Sequence, residues 1–261
     1  MVEYSYFSLF NYTILTIPMI YFASDIHLGY NPRSIDKALE TQFVRWLHTI
    51  EKDDTLVLLG DIFDYWFEYK YVIPAYYYRT LSAISDLVDG GIEVEYVMGN
   101  HDFGHKHFFQ NEFGIEVITT DLERVYYGKR FYLSHGDGKA YNDTNYLILR
   151  KILRNRVCQV LFSLLHPDIG IPIALSSSRS SRKHTSQKHF GKLDGMHDFA
   201  QQKIGDGFDY VIMGHRHLAE QTTYNINGRV GQYINLGGWL EEPYFAQFDG
   251  ENMKLLPLQS K

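Results

Sequence analysis

Cysteine is almost absent from this sequence: Cys158 is the only one, so no internal disulfide can form and no set of thiolates is available for a structural zinc. A reducing compartment is the simplest setting, and Cys158, in an apolar helical stretch, reads as packing. Long apolar runs are missing as well. The nearest approach, "MVEYSYFSLFNYTILTIPMI", has no basic start and is interrupted by polar residues well short of the roughly 20 apolar residues that a membrane span needs. Positive charge is not in excess: 25 Lys and Arg against 31 Asp and Glu leave a net charge of -6, which argues against a general nucleic-acid binder. There is no internal repeat or low-complexity tract, only a Ser/Arg-rich stretch at 176–186.

What remains is an ordinary globular composition in an unusually aromatic chain, with 21 Tyr and 17 Phe among 261 residues. That length fits one large α/β domain and a substantial core. The charge is uneven. Residues 139–192 hold ten basic side chains against Asp143 and Asp168, a local net of +8 that leaves -14 for the rest. Such asymmetry is usually a solvated face, but it also marks places where an anion or an anionic membrane docks. Residues 1–18 precede the first convincing strand, at Met19. They are read either as an upstream extension from a misassigned start or as an ordered surface arm.

Short apolar runs recur, each ending in polar residues: "MIYFASDIH", "TLVLLGDIFD", "VEYVMGNHD", "RFYLSHGDG" and "YVIMGHRH". Their β-branched and aromatic content predicts buried strands, and helix-length segments at 34–52 and 75–90 separate the first three. The alternation predicts βαβ units and a largely central sheet. Farther on, Asn227-Gly228 predicts a hairpin, and "YFAQFDGENMKLLPL" predicts another. Between "SHGDG" and "GHRH" lies a stretch with helical apolar spacing but more hydrophobic residues than one buried face needs. It is expected to be a helical insertion above the sheet, over about 139–192.

Each strand-like run ends in groups that ligate metals: Asp25 and His27, Asp61, Asn100 with His101, His135, then His215 and His217. On a strand, residues i and i+2 point to one side, so Asp25 and His27 are expected to hold one ion together, as are the paired histidines. Asp61 has two carboxylate oxygens and can bridge two cations, and paired cations of this kind hydrolyse phosphate esters. A set of imidazoles and carboxylates suits Mn, Fe or Zn better than Ca or Mg. Asp64 and Asp102 are expected either to orient a neighbouring imidazole, with Asp102 serving His101, or to shape turns. The remaining histidines follow no ligand pattern.

The order D-x-H, GD-x-x-D, GNHD, H-G-D and GH-x-H resembles the calcineurin-like metallophosphoesterase family from about residue 20 to 250. The resemblance implies an α/β fold, an α+β sandwich over 19–260 carrying the helical lid. It also implies two divalent ions, one held by Asp25, His27, Asp61 and His217 and the other by Asp61, Asn100, His135 and His215. His101 would stabilise phosphoryl charge or protonate the leaving oxygen.

The insertion is similar to the lid of the UDP-2,3-diacylglucosamine diphosphatases of lipid A biosynthesis, with their Asp-x-x-Tyr-x-x-x-Arg pattern. Asp143, Tyr146 and Arg150 match that pattern, and Lys188 matches a later lid lysine. This implies manganese-dependent cleavage of a lipid-linked UDP-sugar, in the cytoplasm and peripheral to the anionic inner membrane. His101 stands where those diphosphatases carry Arg, which keeps open a phosphoesterase acting on another phosphodiester or nucleotide. A non-catalytic binding module on the same scaffold is the third reading, although no ligand residue is missing.

Overall fold

The computed structural model describes residues 17–139, 151–185 and 195–259, with side chains omitted at 177–185. In chain order the strands of the first half are β1 (Ile20–Ala23), β2 (Thr55–Leu58), β3 (Glu93–Val97), β4 (Val117–Ile118), β5 (Leu122–Tyr126) and β6 (Lys129–Ser134). Helices α1 (Arg33–Leu47), α2 (Tyr78–Asp89) and α3 (Phe108–Phe113) lie between them. The second half holds α4 (Arg156–Ser163), α5 (Pro167–Thr185), α6 (Gly195–Gly205), β7 (Tyr210–Met213), β8 (Ala219–Ile226), β9 (Arg229–Leu236), β10 (Tyr244–Phe248) and β11 (Met253–Pro257).

The strands form two sheets, in the orders β11-β10-β1-β2-β3-β4 and β5-β6-β7-β9-β8. This is the α+β sandwich that the resemblance implied, whereas the largely central sheet read from the alternation divides in two, for a physical reason. Strands buried on both faces are apolar throughout, so their sequence does not say which sheet they join. The pleat sorts the side chains. Ile20, Phe22, Val57 and Leu59 face Phe131, Leu133, Ile212 and Ile234 across the gap between the sheets, with the rings of Phe22 and Phe131 stacked at 5.9 Å. The alternate residues Ala23, Leu56, Leu58 and Tyr96 face outward onto α1 and α2. On the other sheet, Tyr132, Val211, Met213 and Tyr233 face α6.

Each covering helix has the spacing this demands. Leu39, Phe43, Trp46 and Leu47 of α1 form one stripe, and Phe43 and Trp46 close on Trp239 at 5.1 and 5.5 Å. In α6, Met196, Ala200 and Ile204 recur every fourth residue. The result is a four-layer α/β/β/α sandwich. Both hairpins form as expected, β8 with β9 and β10 with β11.

Strands β1, β2 and β3 run parallel in one sheet, and β6 and β7 run parallel in the other. Their carboxyl-terminal loops meet at one edge. Asp25 N–H donates to Gly60 O (3.1 Å), Gly214 N–H donates to His135 O (3.0 Å) and Trp239 N–H donates to Asp25 O (3.0 Å). Gly60 has φ +80°, and a Cβ there would enter the backbone of Gly99, so a side chain would push the β2 and β3 loops apart. Of the stretch expected as a helical insertion, the described residues include α4 and α5, separated at "LLHPD" where Pro167 opens the second.

Candidate dinuclear metal centre

Asp25 and His27 do not lie on a strand. Strand β1 ends at Ala23, and both residues adopt left-handed backbone in the following turn, with φ of 56° and 51°. The strand-face expectation is corrected accordingly: the turn, not the pleat, turns both side chains inward. Asp61, His215 and His217 share this conformation, with φ of 54°, 70° and 56°. Left-handed backbone costs a side-chain-bearing residue about 1–2 kcal/mol. Five such residues at one edge are sustained by the surrounding hydrogen bonds, and this clustering is characteristic of functional sites.

The donor atoms converge in two halves. In one, His27 Nε2 lies 3.2 Å from His217 Nε2, and Asp25 Oδ1 lies 3.6 and 3.2 Å from those two nitrogens. In the other, Asn100 Oδ1 lies 2.9 Å from His135 Nε2 and 2.8 Å from His215 Nδ1. Asp61 Oδ2 joins the halves, 3.6 Å from His27 Nε2 and 3.3 Å from His135 Nε2. Ligands about 2.1 Å from a shared ion and at right angles to one another lie about 3 Å apart, so these separations fit metal coordination. Asp25, His27 and His217 form one group able to hold an ion, and Asp25, Asp61 and His135 form another.

Electrostatics favour the same reading. Burial alone would raise Asp25, but His217 and His27 outweigh it and hold the carboxyl well below its usual range. Asp61 is also lowered despite burial, by His135 and His101. His135 is raised well above its ordinary value: burial opposes its charge, and Asp61 imposes it. The buried carboxylates therefore demand positive charge between them. Asp25 Oδ1 is buried without a hydrogen-bond donor, an orphan that a divalent cation satisfies. His215, lowered to about 4 by burial and by His135, is neutral at neutral pH, as ligation requires.

Groups behind the donors set their directions. His135 Nδ1–H donates to Leu59 O at 2.8 Å, which leaves Nε2 for the site. Asp25 Oδ2 accepts from Ser24 Oγ (2.5 Å) and from His215 N (2.9 Å), tying the β1 loop to the β7 loop. Asp64 Oδ1 stands 3.4 Å from His27 Nδ1 and 3.5 Å from His101 Nδ1. It is Asp64, then, and not Asp102, that orients His101. Asp102 accepts from Gly99 N (2.8 Å), Ile62 N (3.1 Å) and Tyr96 OH (2.5 Å), and so joins the β2 and β3 loops. Burial and Asp61 push its carboxyl up to about 6. His101 N–H donates to Asp61 Oδ1 at 2.7 Å, while its ring stands edge-on to His27 at 4.8 Å and stays partly open to solvent.

Asp143, Tyr146, Arg150 and Lys188 lie outside the described residues. The helices that follow are seated beside the site. Phe162 of α4 packs on Phe67 at 4.8 Å and on Tyr65 at 6.4 Å, in the loop that continues from Asp64. Sequence reasoning missed Arg154, which shares a cleft with His135, Asp137 and Lys139. One basic residue among ten in that stretch carried no distinguishing signal. Among the described residues, no helix is long and apolar enough to cross a membrane.

The sequence profile of calcineurin-like phosphoesterases matches residues 18–219. A UDP-2,3-diacylglucosamine hydrolase of Porphyromonas gingivalis (strain ATCC BAA-308 / W83) is 30% identical over 259 residues, spanning 90% of this chain and 96% of its own. One from Pectobacterium carotovorum is 27% identical, over 90% of this chain and 97% of its own. Among solved structures, an archaeal phosphodiesterase aligns over 92% of this chain and 99% of its own, with 15% identity and a TM-score of 0.41. Matched along most of its length, with metal-ligating groups gathered where the two sheets meet, the chain belongs to the calcineurin-like phosphoesterase family, metal-dependent hydrolases of phosphate esters.

Proposed function

We propose that the protein cleaves the pyrophosphate of UDP-2,3-diacylglucosamine, releasing UMP and 2,3-diacylglucosamine 1-phosphate for lipid A biosynthesis. The observation that carries the substrate is the helical segment beside the metal centre. Val157, Val160 and Leu161 of α4, Leu164 just after it, and Ile169 and Ile173 of α5 are all exposed. An apolar face of this kind, seated through Phe162 on the loop next to the site, suits acyl chains and a membrane surface. The names of the relatives at 30% and 27% identity support the same substrate.

In this reading Asp25, His27, Asp61 and His217 hold one ion, and Asp61, Asn100, His135 and His215 hold the other, with manganese the first choice and Fe or Zn the alternatives. Bound divalent ions supply Lewis-acid stabilisation of the phosphoryl oxygens and acidify the attacking water. The protein's own part is position and charge. Asp61 fixes the spacing of the two halves, and Asp64 holds the His27 and His101 rings. His101, partly open to the substrate side, stabilises developing phosphoryl charge or protonates the leaving oxygen. Asp143, Tyr146, Arg150 and Lys188 contact the substrate from the lid, which spans about 139–192. The enzyme works in the cytoplasm, resting on the anionic face of the inner membrane.

The test is a parallel assay of the purified protein with Mn²⁺ on UDP-2,3-diacylglucosamine, UDP-glucose and a generic phosphodiester. A strong preference for the acylated substrate is expected. Equal kcat/KM for acylated and unacylated UDP-sugars would leave the second reading, a phosphoesterase for another diester or nucleotide, which His101 in the "GNHD" motif favours.

A further inference from the structure

Asn100 is the most exposed to misplacement of the proposed ligands, because its amide oxygen must meet His135 Nε2 and His215 Nδ1 at once. Its side-chain direction follows from the two peptide planes that flank it. The plane on the carboxyl side is held by Asp61, whose Oδ1 accepts the His101 N–H at 2.7 Å. The plane on the amino side includes Gly99 O, and among the described residues a single side chain reaches it, from 55 positions away. Arg154 Nη2 donates to that carbonyl at 3.3 Å.

The same guanidinium touches two further loops. Arg154 Nη1 donates to Thr119 O at 3.4 Å, just beyond β4, and Nη2 stands 4.0 Å from Asp137 Oδ2, two residues after His135. Three loops around the Asn100–His135–His215 half thus meet at one planar, permanently charged group, a geometry that lysine cannot reproduce. Arg154 is anchored in turn. Asn155, the next residue, caps α4 by accepting from Val157 N (2.9 Å) and Cys158 N (3.2 Å). The position of the guanidinium therefore follows that of α4, which is held on the domain by Phe162 and Phe67.

We infer that Arg154 is a positioning residue for the second ion, coupling the seating of α4 and α5 to the orientation of Asn100. The inference rests on the two-ion reading. Because coupling between two equilibria is reciprocal, a seated helical segment strengthens binding at the Asn100 half. Binding there in turn holds the segment down. The half built from Asp25, His27 and His217 makes no contact with Arg154 among the described hydrogen bonds and is left unchanged.

Metal-stripped wild type and Arg154→Ala are titrated with Mn²⁺ by calorimetry, with the spin-coupled Mn–Mn signal followed by electron paramagnetic resonance. The wild type is expected to take two ions. Arg154→Ala is expected to keep the affinity of one site and to weaken the other tenfold or more, with loss of the coupled signal at two equivalents. Arg154→Lys, which retains one donor for Gly99 O, should recover part of that affinity, and it reads the same isotherm if the alanine variant does not fold. Two equivalents of Mn²⁺ should slow proteolysis within 151–185 in the wild type and not in Arg154→Ala. A wild type that binds one ion would sink the two-ion reading, and this coupling with it. Two undisturbed sites in Arg154→Ala, equal weakening of both, or a changed KM with an unchanged isotherm would overturn the role of Arg154 alone.

Discussion

Asp61 has the least replaceable position in the centre, because its Oδ2 faces both donor groups while its Oδ1 accepts the backbone of His101. Asp61→Ala removes the shared oxygen and one loop tether together. Metal content is expected to fall at both sites, with a loss of activity beyond the roughly 10–100-fold that a change behind a ligand produces; elemental analysis beside an assay checks this. His101→Ala keeps the backbone N–H that Asp61 uses, so both ions should remain while kcat drops on the order of 10²-fold. Metal loss in that variant would move His101 into the ligand set. The two buried aspartates that flank the site separate by what they hold. Asp64→Asn should weaken metal binding about 10–100-fold through His27, whereas Asp102→Asn should lower the melting temperature and leave the ions in place.

At the scale of elements, α4 and α5 have little cover. They face the domain through Phe162 and through the buried Gly170, where a Cβ would enter the Tyr69 hydroxyl, and the opposite face carries exposed Val, Leu and Ile. Phe162→Ala removes the main aromatic contact. Its ring is only half-buried, so the cost to seating is on the order of 1–2 kcal/mol, below the roughly 3–5 of a fully buried Phe→Ala change. The expected readout is faster proteolysis within 151–185, weaker binding of one of the two Mn²⁺ ions through Arg154, and a higher KM for acylated substrate, with a small diester hydrolysed as before once Mn²⁺ is saturating. Loss of the diesterase activity at saturating Mn²⁺ as well would mean that these helices act through the metal centre alone and do not select the substrate.

Stability of the whole molecule should depend on pH through a histidine outside the centre. His105, its side chain 2% exposed, is stacked on Trp66 at 5.3 Å and packed edge-on against Tyr96 and Phe109. Neither ring nitrogen has a hydrogen bond, and the nearest charge is Glu68 Oε1, 3.9 Å away. Burial lowers its pKa to about 3. The folded state keeps it neutral while the unfolded chain protonates near 6.5, so its contribution is intact above about 6.5 and is lost as pH falls toward 3. Between pH 6.5 and 5 that loss is about 2 kcal/mol. Urea unfolding of the metal-free protein should show His105→Phe losing less stability than wild type over that interval, by about this amount. Parallel pH slopes in the two proteins would contradict the assignment.

Much of this protein is legible along the chain, because its signals are local. Apolar runs that end in Asp, Asn and His mark strand ends with ligand chemistry. Asn227-Gly228 sets a hairpin, and the stripe of Leu39, Phe43, Trp46 and Leu47 sets a helix facing a sheet. Each depends only on neighbours within a few residues. Tertiary structure decided what depends on distant partners. Strands buried on both faces carry no mark of which sheet they join, so the division into two sheets came from packing. The turn at Asp25 and His27 is left-handed because Gly60, Asp61 and Trp239 bond its backbone from elsewhere. Two aspartates with the same local appearance took different partners, Asp64 the imidazoles and Asp102 the loop amides. Arg154, one cation in a basic stretch, reaches Gly99 across 55 residues. Composition and spacing name the groups able to do chemistry, but which of them meet is set by long-range contacts that no short window of sequence contains.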